Sequence, residues 1–136
     1  MYKRQLSAWV KSSQSDITDE EHVFYEAAVI TLRKQAATEK FIYNLLNSSG
    51  TVSGWAVSSV YADTDWHHIV ATYNGTHIAL YIDGNLDSIP QPLSGDVASS
   101  STYNFVISGQ GGFTPSWNGS IAVSYTHLTL PTTPYV

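Results

Sequence analysis

The sequence contains no cysteine, which excludes disulfides and thiolate metal sites and leaves the redox compartment open. It is also short of charge. Only 12% of its residues are Asp, Glu, Lys or Arg, where about 25% is usual for a soluble domain. Six Lys and Arg stand against eleven Asp and Glu, giving a formal net charge of −5. A nucleic-acid binder needs a basic stripe to displace phosphate counterions, and six cations cannot make one. No run of eighteen apolar residues occurs, so no transmembrane helix is expected. The chain opens on no signal peptide, and it holds neither a Gly-rich phosphate cradle nor a Ser-His-Asp signature.

What is present is aromatic, hydroxyl-rich and β-prone. Aromatics make up 12% of the chain, and its 136 residues suit one domain with one core. LSAWVK (Leu6 to Lys11) alternates apolar and polar residues, as a half-buried strand does. Ser12 to Glu21 is polar and acidic and reads as a loop. Further β-runs are His22–Glu26, Ala28–Lys34, Glu39–Leu46, Gly54–Tyr61, Asp65–Tyr73, Thr76–Ile82, a short Asn85–Ile89, Tyr103–Ser108 and a last one starting at Trp117. Helix competes over Glu20 to Ala37. Strand is favoured because Val23, Phe24, Tyr25, Val29, Ile30 and Thr31 are β-branched or aromatic without a sustained 3.6 period. Asn74-Gly75 and Asp83-Gly84 mark hairpin turns. Roughly nine short strands at ~8–12-residue spacing indicate an all-β, antiparallel two-sheet sandwich or jelly roll.

The two ends read differently from the rest. MYKRQ back-translates as GTG TAT AAG AGA CAG, which resembles the end of a transposase adapter used to prepare sequencing libraries. VSYTHLTLPTT (Val123 to Thr133) back-translates to the reverse complement of the same adapter. Residues 1–5 and 122–136 are therefore expected to be adapter-derived. The domain is then residues 6–121, an internal fragment of the metagenomic type, truncated at both ends. His127, Pro131 and Pro134 receive no functional meaning on this reading, and the codon of Ala122 keeps only its first native base, G.

DWHHIVATYNGTHIALYIDGNL (Asp65 to Leu86) resembles the central hairpin of laminin-G-like domains, which belong to the concanavalin A-like jelly rolls. Trp66, His67, His68, Ile69 and Ala71 match the first half of the family's W-H-H-V-A … L-Y-V-D-G pattern, and Leu80 to Gly84 match the second. LSAWVK, FVISGQGG (Phe105 to Gly112) and WNGSI (Trp117 to Ile121) match flanking strands in the right order. The family usually has Asp after that Ile, which agrees with a junction codon beginning in G. The acidic first strand and the closing strand of the family pattern are missing.

The resemblance implies a non-catalytic recognition module for a glycan or an extracellular protein ligand. It would form part of a larger secreted or surface protein beside neighbouring domains. The alternative it leaves open is a structural spacer, or an accessory domain packed on a catalytic one such as a glycoside hydrolase. Catalytic relatives carry paired carboxylates as E-x-D-x-x-E or E-x-D-x-E on one strand. A retaining hydrolase needs two carboxylates about 5–5.5 Å apart. Neither spacing occurs, and the cluster Asp16, Asp19, Glu20 and Glu21 falls in a loop, so an enzyme is not expected.

Trp66 is read as a core residue. His67 and His68 are neighbours on a strand and point to opposite faces, so they cannot share one metal ion. Asp83, Asn85 and Asp87 alternate after a strand and are candidate calcium ligands, set against a plain solvated turn. Trp55, Tyr61, Tyr103, Phe113 and Trp117 are aromatics near loops, where a ring can stack on sugar C–H groups. Within the loop Gly109 to Trp117, Phe113 and Trp117 are the candidate platforms and Gln110 the polar contact. Core packing competes for each of these, and most strongly for Trp117.

Overall fold

The computed structural model describes residues 4–15, 17–26, 29–50, 55–99, 105–108 and 116–128. Alternation builds its centre. In Arg4–Ser12 (β1), Leu6, Ala8 and Val10 are buried while Trp9 and Lys11 are exposed. In Trp66–Tyr73 (β6), Ile69, Ala71 and Tyr73 are buried. The two strands pair antiparallel with Leu6 opposite Ala71 and Ala8 opposite Ile69. Successive side chains of a strand point to opposite faces, so this register collects Leu6, Ala8, Val10, Ile69, Ala71 and Tyr73 on one side.

The other strands are Glu21–Glu26 (β2), Ile30–Gln35 (β3), Lys40–Leu45 (β4), Ala56–Val60 (β5), His77–Ile82 (β7), Asn85–Leu86 (β8), Gln91–Pro92 (β9), Val106–Ile107 (β10) and Gly119–Leu128 (β11). A six-stranded sheet runs β11-β1-β6-β7-β8, with β9 also on β7, and a five-stranded sheet runs β10-β2-β3-β4-β5. Their inner faces close on one core that includes Leu6, Ile69, Tyr73 and Leu80 from the first sheet and Phe24, Leu32, Tyr43 and Leu45 from the second. The fold is thus the antiparallel two-sheet sandwich of a concanavalin A-like jelly roll. Over the disputed stretch from Glu20 the chain forms β2 and β3. No helix long and apolar enough to cross a membrane occurs among the described residues.

Both turn signals are used. Asn74 Oδ1 accepts the N–H groups of Thr76 and His77 at 2.9 and 2.8 Å, closing the β6–β7 hairpin. Asp83 and Gly84 both take positive φ, 51° and 85°, as the type I′ turn between β7 and β8 requires. The added element is β9, in a stretch read as loop. Pro92 fits there because an edge strand tolerates a residue with no N–H to donate.

One expectation is corrected. Glu21, read as part of a solvated loop, opens β2 opposite Lys34 and is only 3% exposed. Burial pushes its carboxyl pKa up, against the pull of the Asn118 backbone and Lys34. Lys34 is itself buried and forms a 2.7 Å ion pair with Glu39. Glu39 Oε1 in turn accepts the Ile17 N–H at 2.8 Å, tying the β1–β2 loop to the sandwich end. The final strand, expected from Trp117 on, runs from Gly119 to Leu128, which pairs with Arg4. Residues 122–128 alternate β-prone and polar types, and β1 offers them an unpaired edge. At the start of that strand Gly119 lies so close to β1 that a Cβ would run into the Lys11 carbonyl oxygen.

Candidate functional site

The strand parity that builds the core also exposes an aromatic face. Trp66, read as core, is 42% exposed. Ile69, Ala71 and Tyr73 point inward, so Trp66, two and four residues before His68 and Val70, must share the outward side with them. Trp9, on the outward side of β1, is also 42% exposed. Register sets Lys11 opposite Trp66, Trp9 opposite His68 and Ser7 opposite Val70, so the two indoles sit on diagonal positions of neighbouring strands. The His68 ring stacks on Trp9 with centroids 5.0 Å apart and planes 26° apart. Ser7 Oγ lies 2.9 Å from His68 Nε2 and holds that ring in place. Beyond His68 the face dips into a groove of about 240 Å³ lined by Gln5, His68, Val70, Thr72, Tyr81 and Gly84. No outward position of β1, β6 or β7 carries Asp or Glu.

A second cluster lies at one end of the sandwich. His67 points inward from β6, and its Nδ1 and Nε2 lie 2.8 Å from Asp83 and 2.9 Å from Asp63. Ionised carboxylates only accept, so satisfying both contacts requires an imidazolium that donates from each nitrogen. Partial burial works against that charge, but the hydrogen bonds to Asp83 and Asp63 outweigh it and hold the His67 pKa above its ordinary value. Partial burial likewise opposes ionisation of Asp63 and Asp83. The His67 hydrogen bond, with the N–H groups of Asp65 and His68, still leaves both pKa values below the ordinary range. The Tyr61 ring meets His67 edge-on at 4.8 Å. Its hydroxyl donates to Asp87 at 3.0 Å, and burial followed by that bond pushes the phenol pKa up. With both nitrogens engaged, His67 keeps no lone pair for general-base chemistry.

The calcium candidates make contacts of their own. Asp83 gives one oxygen to His67 and the other to the His68 N–H at 2.8 Å. Asp87 gives its oxygens to the Ser59 N–H, the Ser59 hydroxyl and Tyr61. Asn85 only reaches the Asp83 carbonyl, at 3.4 Å. Asp83, Asn85 and Asp87 are drawn to separate partners and as arranged do not fit a shared oxygen cage. Among the described residues no group of three or more His, Asp or Glu stands placed to hold a metal.

The loop candidates fare unevenly. Gln110 and Phe113, like Tyr103, lie outside the described residues. Trp117 is placed in the core and not as a platform: it is 5% exposed, stacks on Phe41 at 6.1 Å and donates from Nε1 to the Lys11 carbonyl at 3.2 Å. Trp55 is 50% exposed and sits over the Arg33 guanidinium at 5.0 Å. The reading by loops missed Trp9, His68 and Tyr81. The signal was present in LSAWVK, whose period of two puts Trp9 opposite in sense to Leu6, Ala8 and Val10.

The family model described as the Concanavalin A-like lectin/glucanases superfamily matches residues 6–123. A two-sheet antiparallel sandwich is at home there, and the chain belongs to this superfamily. No curated protein matches the sequence. Among solved structures it is similar to a heptameric SAP-like pentraxin from Limulus polyphemus, with TM-score 0.65 and 13% identity over 92% of this chain and 64% of that one. It is similar to domains LG4-5 of the mouse laminin alpha1 chain, with TM-score 0.63 and 17% identity over 90% of this chain and 34% of that one. It is also similar to domain 4 of AbnA, a GH43 extracellular arabinanase from Geobacillus stearothermophilus solved with arabinotriose. There the TM-score is 0.57 and the identity 16%, over 92% of this chain and 60% of that one. The chain thus spans less than two thirds of each of these. At such identities the likeness is one of fold.

Proposed function

We propose that the chain is a non-catalytic recognition module that binds glycan on the outer face of its six-stranded sheet. The observation that carries this reading is the pair of half-exposed indoles, Trp9 and Trp66, set on a rigid, carboxylate-free face. An indole presents a flat apolar surface that stacks on sugar C–H groups, while His68, Ser7 and Tyr81 supply hydrogen-bonding groups for hydroxyls. Holding the rings on strands rather than loops lowers the ordering cost of binding. The arabinotriose complex of AbnA domain 4 supports a sugar as ligand for this fold. The module would act outside the cell as part of a longer chain.

Glycan-array screening followed by calorimetry tests the reading. Saturable sugar binding is expected that Trp9→Ala and Trp66→Ala each weaken while the fold survives. Binding unaffected by both substitutions would move the site elsewhere, to the Gln110 and Phe113 loop first. A second reading, an accessory domain packed on a neighbour, is favoured by the 570 Å³ cleft between β5 and β8, lined by Lys40, Val57, Ser59, Leu86, Asp87 and Ile89 among others. Leu86 and Ile89 on its rim are 51% and 81% exposed. Long-read sequencing of the locus tests the modular context. Flanks encoding an acidic first strand and an I-D-E-V-R-like closing strand support it, and a locus that itself encodes MYKRQ and VSYTHLTLPTT overturns the adapter origin of the ends.

A further inference from the structure

We infer that the outer face takes an internal stretch of a linear, uncharged glycan several residues long, rather than a single terminal sugar. This rests on the glycan reading of that face. Its argument is the arrangement of two unlike parts in one line. At one end stand the half-exposed Trp66 and Trp9 indoles, diagonal to each other on β6 and β1. At the other lies the groove over Val70 and Thr72, bounded by Tyr81 and Gly84. His68 belongs to both, since its ring stacks on Trp9 and lines the groove.

From Trp66 to Val70 the accessible outward row of β6 spans four residues, about 13 Å at about 3.3 Å per residue, and Thr72 beyond it is buried beneath the groove. That is longer than one sugar ring. A monosaccharide on the indoles leaves the groove to solvent, and one in the groove leaves the indoles exposed. Only a chain that continues from one to the other covers both. The groove is open rather than enclosed, and among the described residues Trp66 and Trp9 at the other end of the row are both half-exposed.

The chemistry of the row favours neutral residues. Its polar groups are hydroxyl, imidazole and the Gln5 amide, with Lys11 bringing the one charge, beside Trp66. A single exposed ammonium is a strongly hydrated point charge, weak as an anchor for a run of acidic sugars.

Calorimetry on the whole chain with arabino-, xylo- and cello-oligosaccharides, each from the monosaccharide to the hexasaccharide, decides the matter. For the series that binds, affinity is expected to rise at least roughly tenfold from the monosaccharide to the tetrasaccharide and then level off. Val70→Tyr, which fills the groove on a surface position suited to an aromatic, is expected to abolish most of that rise. Monosaccharide and hexasaccharide of equal affinity would overturn the extended site and leave glycan binding standing. A length dependence that Val70→Tyr does not touch would also overturn it. No saturable binding of any member would overturn the glycan reading itself, and this inference with it.

Discussion

Trp66 and Trp117 are the same residue type, one at the start of β6 and the other two residues ahead of β11, the two strands that flank β1, and their environments are opposite. Trp117 is sealed against Phe41 with its indole N–H on the Lys11 carbonyl, whereas Trp66 lies opposite the Lys11 position on the outside of the same strand. Hydrophobicity does not separate them. What separates them is placement: Trp66 falls on the outward side of the β6 pleat, whereas Trp117, two residues ahead of β11, packs inward on Phe41.

The contrast can be broken most forcefully at Trp117. Trp117→Ala removes a buried ring and a buried hydrogen bond, and is expected to cost about 3–5 kcal/mol of unfolding free energy, read as a lower urea midpoint. Trp66→Ala is expected to leave stability within about 0.5 kcal/mol, as surface positions do. Its effect should appear in sugar affinity, as a roughly tenfold loss or ~1.4 kcal/mol. If both substitutions destabilise alike, the outward placement of Trp66 is wrong. His68→Ala sharpens the comparison with a smaller effect. It removes the ring stacked under Trp9, and is expected to weaken binding by roughly threefold through looser positioning of that indole, about 0.5–1 kcal/mol.

The smallest effect expected is on the pH dependence of stability, through His67 on the inward side of the same strand. Its pKa is held above the ordinary value, so its contribution is complete below about pH 6.5 and is lost as pH rises through the raised value. Asp63 and Asp83 are held below theirs, so their contributions are complete above about pH 3.9 and are lost as pH falls through the depressed values. The three act together only between those limits. Urea midpoints measured from acid to alkaline pH should show this plateau, and His67→Gln should flatten both shoulders. An unchanged profile in that variant would assign the shoulders to other groups.

Much of the fold was legible because the strands of a sandwich carry their own period. LSAWVK, the Asn74-Gly75 turn and the Asp83-Gly84 turn each state a local geometry, and the structure uses all three. The site was less legible because DWHHIVATY is ambiguous in parity. Trp66 and Val70 are apolar on one side, Ile69, Ala71 and Tyr73 on the other, and only pairing with β1 decides which side is the core. Glu21 and Lys34 were hidden for a different reason. Nothing local in a polar loop or a strand end says that a charge will be buried. Glu21 is buried by pairing opposite Lys34 on β3, and Lys34 by the folding of the β3–β4 turn that brings Glu39 to it. Asp83 and Asp87 looked like a shared set by spacing. Their true partners, His67 and Tyr61, lie 16 and 26 residues away.

The placement of β1 between β6 and β11 has a consequence in time. The Trp117–Lys11 hydrogen bond joins groups 106 residues apart, and β11 completes the pairing of β1 from the far end of the described chain. During synthesis at about 5–20 residues per second, β1 therefore waits roughly 5–20 s with one edge bare. Contacts of such long range also place the domain among slow folders, on the millisecond-to-second scale once released. Over that interval an early strand carrying Leu6, Ala8 and Val10 is open to the wrong neighbour, so the yield of folded protein should depend on chaperones and on the pace of translation as much as on final stability.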